Sequence, residues 1–210
     1  MFKNFHLIKR ILDISTVYNL YQYIIGCNKL LKKYSDIFII PEAQKYTCRL
    51  NFLDLGCGTG NIIKYLPENI NYTGIDYSEN YINFDKNKFP QHKFFRKDAK
   101  ESFIFQEKFD IIFSEALISN FNDEEVVNLF KSIINCANPD CKIIISDLNY
   151  SSDLSFFEKF LLKNERGNVM RGKTQYEELI SGYFKIEKIS EVKDLYIIPY
   201  KKIVFECRLK

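Results

Sequence analysis

The sequence predicts an α/β chain built on a doubly wound, mostly parallel seven-stranded sheet that ends in an antiparallel β-hairpin. Three observations predict it. From residue 49 onward, short apolar runs alternate with segments of helical periodicity, the order a parallel sheet requires. The last two apolar runs follow each other with no helix between them, which reverses a strand. The densest glycine cluster, residues 54–60, falls where the first of these strands turns toward a helix. Length and composition agree. With 210 residues, 46% hydrophobic and 27% charged, the chain reads as one domain with a large core, which excludes disorder, collagen and a disulfide-stapled miniprotein.

The elements follow in order. Residues 5–12 predict a short amphipathic helix. Residues 16–34 carry Val17, Leu20, Ile24, Leu31 and Tyr34 at helical spacing, so these are predicted to share one face. Pro41 predicts a break. Arg49–Leu55 is the first strand and Asn61–Leu66 the helix after it. Tyr72–Asp76 is a second strand, Glu79–Asn87 a helix and Lys93–Arg96 a third strand. Phe109–Phe113 is continuously apolar, as a strand buried on both faces must be. A helix over Asp123–Ala137 has Asn122 or Asp123 as its cap. Lys142–Ser146 is the fifth strand, and Asp153–Lys163 a helix capped by Ser152. Thr174-Gln175-Tyr176-Glu177 reads as a capping box opening another helix. Phe184–Val192 and Lys201–Arg208 form the closing hairpin around a loop holding Pro199.

Charge and cysteine usage narrow the class further. The net charge of +3 is mild for a nucleic-acid binder. It is unevenly spread. Residues 1–50 hold 8 Lys/Arg against 3 Asp/Glu, residues 51–150 hold 10 against 15, and residues 151–210 hold 12 against 9. The cysteines Cys27, Cys48, Cys57, Cys136, Cys141 and Cys207 form no C-x-x-C pair. With His6 and His92 the only histidines, no zinc site is expected. Scattered among apolar neighbours, they read as reduced, buried thiols of a cytoplasmic protein. No apolar run approaches the ~18 residues of a membrane span. The N-terminal MFKNFHLIKRILDIS is followed by no h-region or cleavage site.

The sharpest signal is Asp54-Leu55-Gly56-Cys57-Gly58-Thr59-Gly60. Glycines at such a turn let the backbone approach a ligand closely, and the amides that open the next helix can hold an anion. A dinucleotide fingerprint, G-x-G-x-x-G, would need glycine at position 61, where Asn61 stands. The spacing G-x-G-x-G, with an acidic residue two before the first glycine, resembles the first motif of class I S-adenosylmethionine-dependent methyltransferases.

That resemblance runs in order over residues 49–208. It implies a Rossmann-like fold and S-adenosyl-L-methionine as cofactor. It places Asp54, Gly56, Cys57, Gly58 and Gly60 in the cofactor turn, with Asp54 orienting the ammonium group. Asp76, 20 residues after Gly56, then accepts the ribose hydroxyls. Asp98 and Ala99 meet the adenine, Tyr77 and Ile75 pack on it, and Ser114 joins the cofactor set from the end of the fourth strand. Residues 1–45 resemble the lid helices of small bacterial members, which implies that Tyr18 and Gln22 close over the cofactor. Residues 46–210 are then the catalytic core, with a substrate-side insert at about 151–182. Arg171 and Tyr200, in loops similar to the substrate-side loops of those enzymes, are the expected substrate contacts.

This chain departs from the family after the fourth strand. Many members carry histidines near positions 118–120, where this sequence reads Ile118-Ser119-Asn120. Glu115 is the nearest ionisable substitute. It is open to four roles: base, substrate-ordering group, cofactor contact or structural carboxylate. No N/D-P-P-Y/F stretch and no Pro-Cys dipeptide is present, and no RNA-binding module is visible, so a small-molecule acceptor is expected. The basic ends of the chain favour an anionic one. Two alternatives stay open. One is a nicotinamide-dependent oxidoreductase. The other is a non-catalytic methyltransferase-like partner or membrane-surface module, supported by Lys3, Lys9 and Arg10 beside Phe2, Phe5 and Ile8.

Overall fold

The computed structural model describes residues 14–150, 169–192 and 201–210. The helices expected at 5–12 and 153–163, and the loop around Pro199, lie outside the described residues. The N-terminal elements are α1 (Ser15–Ile25), α2 (Cys27–Tyr34), a π-helical turn (Ser35–Ile39) and α3 (Ile40–Ala43). Then come β1 (Leu50–Leu55), a 3-10 turn (Asn61–Tyr65), β2 (Ile70–Asp76), α4 (Glu79–Lys88), β3 (Lys93–Arg96) and β4 (Phe109–Glu115). A 3-10 turn (Ile118–Asn120), α5 (Asp123–Cys136), β5 (Ala137–Leu148), α6 (Lys173–Ser181), β6 (Phe184–Val192) and β7 (Lys202–Leu209) complete the set.

The strands form one seven-stranded sheet in the order β3-β2-β1-β4-β5-β7-β6. β1 to β5 pair in parallel, and β7 runs antiparallel between β5 and β6. This is the doubly wound, Rossmann-like sheet with a reversed end that the sequence predicted. Strand order reverses between β1 and β4, and in open sheets of this kind the crevice at that switch point, beyond the carboxyl ends of the strands, takes the ligand.

Side chains alternate across each strand, and both faces are apolar. Leu53, Leu55, Ile112 and Ile143 pack with Val126, Leu129, Phe130 and Ile133 of α5 and Tyr176 and Ile180 of α6. Phe52, Tyr72, Ile111, Phe113 and Ile144 pack on the opposite face with Leu30, Leu31 and Tyr34 of α2, then Phe38 and Ile39. Full burial of each such side chain contributes roughly 1.5–3 kcal/mol. α5 starts where its sequence dictates. The Asn122 side chain accepts from the Glu125 amide at 2.9 Å and the Glu125 carboxylate accepts from the Asn122 amide at 2.8 Å.

Several local expectations are corrected. The stretch 16–34 is two helices, because Gly26 adopts φ 88° and ends α1 in a left-handed turn. Leu31 and Tyr34 are buried, but Leu20 and Ile24 are 59% and 55% exposed, so the expected common face does not exist. Pro41 does not end the helical run. It sits in the first turn of α3, directly after the π-turn. The segment after the glycines is a 3-10 turn rather than an α-helix. α6 begins after Gly172, whose amide donates to the Gln175 side chain at 2.9 Å, so Thr174 lies inside the helix and is not its cap. Five cysteines are buried as expected, and Cys48 is exposed.

Candidate functional site

The glycine turn sits at the switch point. Gly56, Gly58 and Gly60 all have positive φ, of 73°, 57° and 61°. The amides of Gly56 and Cys57 both donate to the Ile75 carbonyl at 2.9 Å, which ties the turn to β2. At Gly58 a side chain would also meet the Tyr18 ring, 3.3 Å from where its Cβ would stand. Only glycine satisfies both the backbone and this close approach.

Three carboxylates share one face of the sheet around this turn. Register places Asp54 opposite Gly74 of β2 and Phe113 of β4, and Asp76 and Glu115 stand two residues further along those strands. Asp76 is held by two backbone amides, Gly58 at 3.0 Å and Ser78 at 2.9 Å, so its carboxylate is fixed in place. Asp54 is 4% exposed and accepts the Tyr72 hydroxyl at 2.7 Å. Burial pushes its carboxyl up to about 7. The Tyr72 hydrogen bond opposes that rise, and Asp76 and Glu115 add to it. Asp85, buried behind Cys57, is pushed up to about 8, again mainly by burial. Gly74 makes this packing possible, since a Cβ there would stand 2.9 Å from Cys57 Sγ and 3.0 Å from the Tyr72 hydroxyl.

A second polar cluster lies at the carboxyl ends of β4 and β5 and the start of β7. Lys202 and Glu115 form an ion pair in which the lysine side chain is 3% exposed and the glutamate 16%. Burial works against the Lys202 ammonium, but Glu115 and Asp147 outweigh it and hold its pKa above the ordinary lysine value. Asp147 accepts the Ser119 amide at 2.9 Å and its own neighbour's amide, Leu148, at 2.7 Å. Tyr34 and Ser146 share a hydrogen bond of 2.6 Å beside Glu115. Ser114 Oγ is buried and has no hydrogen-bond partner among the described residues.

The remaining candidates are distributed as follows. Tyr77 follows β2 and is 64% exposed. Asp98 is exposed after β3, where its carboxylate accepts the Lys100 amide at 3.0 Å, and Ala99 beside it is buried. Tyr18 stacks on Tyr81 with ring centroids 4.9 Å apart. Gln22 is half-buried one turn along the same helix. Arg171 is not placed to meet a substrate. It is 2% exposed and donates to the carbonyls of Ile118 and Phe121 and to the Asp123 carboxylate, at 2.6–3.0 Å. Its guanidinium ties the chain entering α6 to the turn before α5. Tyr200 lies outside the described residues.

Sequence reasoning missed Asn19 and Lys202. Asn19 Oδ1 accepts both the Thr59 hydroxyl and the Asn61 side-chain amide at 2.8 Å, so it fastens α1 to the glycine turn. Its position beside Tyr18 was the available signal. Lys202 opens β7, and its partner is 87 residues away.

The arrangement suits a cationic ligand that needs carboxylates and a close backbone, and S-adenosylmethionine carries both a sulfonium and an ammonium. Comparison with known proteins agrees. The family described as methyltransferase domain matches residues 52–140. Among curated proteins, none matches this chain significantly. The fold is similar to magnesium protoporphyrin IX methyltransferase from Synechocystis, solved with bound S-adenosylhomocysteine. The two are 16% identical, with 98% of this chain and 100% of that one covered and a TM-score of 0.72. It is similar to the plantazolicin methyltransferase BpumL, at 16% identity, 100% of both chains and a TM-score of 0.70. A methyltransferase from Clostridium acetobutylicum is 17% identical over 85% of this chain and 91% of that one, with a TM-score of 0.63. The stretch matched by the methyltransferase-domain family contains the glycine turn, Asp54, Asp76, Asp98 and Glu115, and the fold is that of the similar methyltransferases.

Proposed function

We propose that the chain is a class I S-adenosylmethionine-dependent methyltransferase and that it methylates a small-molecule acceptor presenting an N–H or O–H group to Glu115. The observation that carries the reading is the Glu115–Lys202 pair at the carboxyl end of β4 and the start of β7, on the same sheet face as Asp54 and Asp76. Two of the similar structures, named for magnesium protoporphyrin IX and plantazolicin, support a small acceptor. The basic excess of residues 1–50 and 151–210, 8 Lys/Arg against 3 Asp/Glu and 12 against 9, is the ground for expecting an anionic acceptor. The carboxylate of Glu115 at this end of β4 favours a protic acceptor.

When bound, the cofactor supplies a methyl group activated by its sulfonium. Asp76 holds the ribose, and Tyr77, Asp98 and Ala99 frame the adenine. Gly56, Cys57, Gly58 and Gly60 bring the backbone to the methionine end, with Asp54 on its ammonium and Ser114 alongside. Tyr18 and Gln22 cover the site from α1. Lys202 holds Glu115 in place as it accepts the acceptor's proton. Alignment of this kind is worth up to ~7–11 kcal/mol, and a positioned base about 10²–10⁴-fold. The test is an acceptor screen that reads S-adenosylhomocysteine by mass spectrometry. Glu115→Gln is expected to lower kcat about 100-fold while S-adenosylhomocysteine binds within about twofold of wild type. A variant that keeps full kcat sinks the role of Glu115.

The buried Asp54 adds a pH dependence. Below about 7 its carboxyl holds a proton in the ligand-free protein, and a ligand ammonium favours the ionised form. Binding therefore releases that proton. Affinity for S-adenosylhomocysteine is expected to rise by up to about tenfold per pH unit toward 7 and to level off above it. Titration calorimetry at several pH values measures this. Asp54→Asn should bind more weakly with a flat profile, and an unchanged profile in that variant removes Asp54 from the ammonium.

A further inference from the structure

We infer that the outer face of α1 is a docking surface for an anionic lipid bilayer. α1 is inverted relative to an ordinary surface helix. Its inward side carries Tyr18, Asn19 and Gln22, and Asn19 hooks onto Thr59 and Asn61 of the glycine turn. Its outward side carries Leu20, Tyr23 and Ile24, which are 59%, 70% and 55% exposed, with Ile14 at 55% just before the helix. Residues 20, 23 and 24 are one helical turn apart and lie on one side. No residue of α1 is buried. A globular protein turns such a stripe toward its core, and here the stripe faces away from it.

Charge selects the occupant. Residues 1–35 hold six Lys/Arg, namely Lys3, Lys9, Arg10, Lys29, Lys32 and Lys33, against the single acid Asp13. Between residues 14 and 35 no acid occurs at all. Lys29 is exposed just past the Gly26 bend, while Lys32 pairs with Asp36. Leucine, isoleucine and tyrosine on one helix face, in a lysine-rich and acid-free segment, fit the interface between headgroups and acyl chains of an anionic membrane. No helix among the described residues is long and apolar enough to cross a membrane, so the attachment is peripheral. The same helix touches the glycine turn through its other side, so a docked bilayer lies on the outside of the cover over the cofactor turn. The docking itself does not depend on the proposed acceptor chemistry.

Vesicle sedimentation of the full chain tests the inference. Wild type is expected to pellet with mixed phosphatidylcholine–phosphatidylglycerol vesicles, to stay in solution with phosphatidylcholine alone, and to release at high salt. The double variant Leu20→Glu/Ile24→Glu, and Tyr23→Glu alone, should each lose vesicle partitioning by about tenfold or more. These side chains point to solvent, and S-adenosylhomocysteine affinity within about twofold of wild type confirms an intact fold. Wild type that stays in solution with both vesicle types overturns the inference, and so does pelleting that the substitutions leave unchanged. A concentration-dependent dimer lost in the same variants, without vesicle binding, overturns it in favour of a second copy.

Discussion

Asp76→Ala is expected to weaken S-adenosylhomocysteine binding between about tenfold and a hundredfold, because charge-assisted hydrogen bonds contribute roughly 1.5–3 kcal/mol each. The carboxylate is prepared before any ligand arrives. The amides of Gly58 and Ser78 hold it at 3.0 and 2.9 Å, from the glycine turn on one side and the cap of α4 on the other. A preset acceptor costs little ordering on binding, so its removal is felt almost in full. Asp76→Asn keeps the shape without the charge and should fall between wild type and alanine. Calorimetry gives the affinity, and thermal unfolding without ligand separates it from loosening of the turn. Unchanged affinity in Asp76→Ala rules out the ribose assignment.

Lys202→Met is expected to lower the unfolding free energy by roughly 3–5 kcal/mol, because it strands carboxylates that are largely shielded from water. Asp147 is 1% exposed and the Glu115 side chain 16%. With the ammonium gone, these groups must stay charged in an apolar setting or take up protons. For a chain of this length the loss corresponds to a fall of roughly 10 °C in melting temperature. Lys202→Arg should recover part of it. Adding Glu115→Gln to Lys202→Met should also recover part, since the two sites are coupled. A Lys202→Met protein that melts with wild type contradicts the structural role of the pair.

These two residues divide what was legible from what was not. Asp76 is picked out through the family resemblance, which needs only local signals: a strand ends there, 20 residues after Gly56 of the glycine turn. The same holds for Asp54 and the positive-φ glycines, whose residue types answer to backbone geometry in place. Lys202 had no such signal. Its partner Glu115 is 87 residues away, and the Tyr34–Ser146 bond beside it spans 112. Both pairs depend on how β7 inserts between β5 and β6 and on how α2 lies across the sheet. Arg171 failed for the converse reason. A basic residue in a loop looks available, and only the packed structure shows its guanidinium already bound to Asp123 and two carbonyls.

The sequence by itself determined the alternation of strands and helices, the reversed end, the glycine turn and the carboxylates at the strand ends. Each of these is encoded by periodicity or by a backbone conformation that few residues tolerate. Tertiary structure alone decided that Gly26 splits the first helix, that α1 turns its apolar side outward, and that Glu115 meets Lys202. Those outcomes rest on the register of distant strands and on the angle at which one helix meets the sheet. Neither leaves a periodic mark in the residues that obey it.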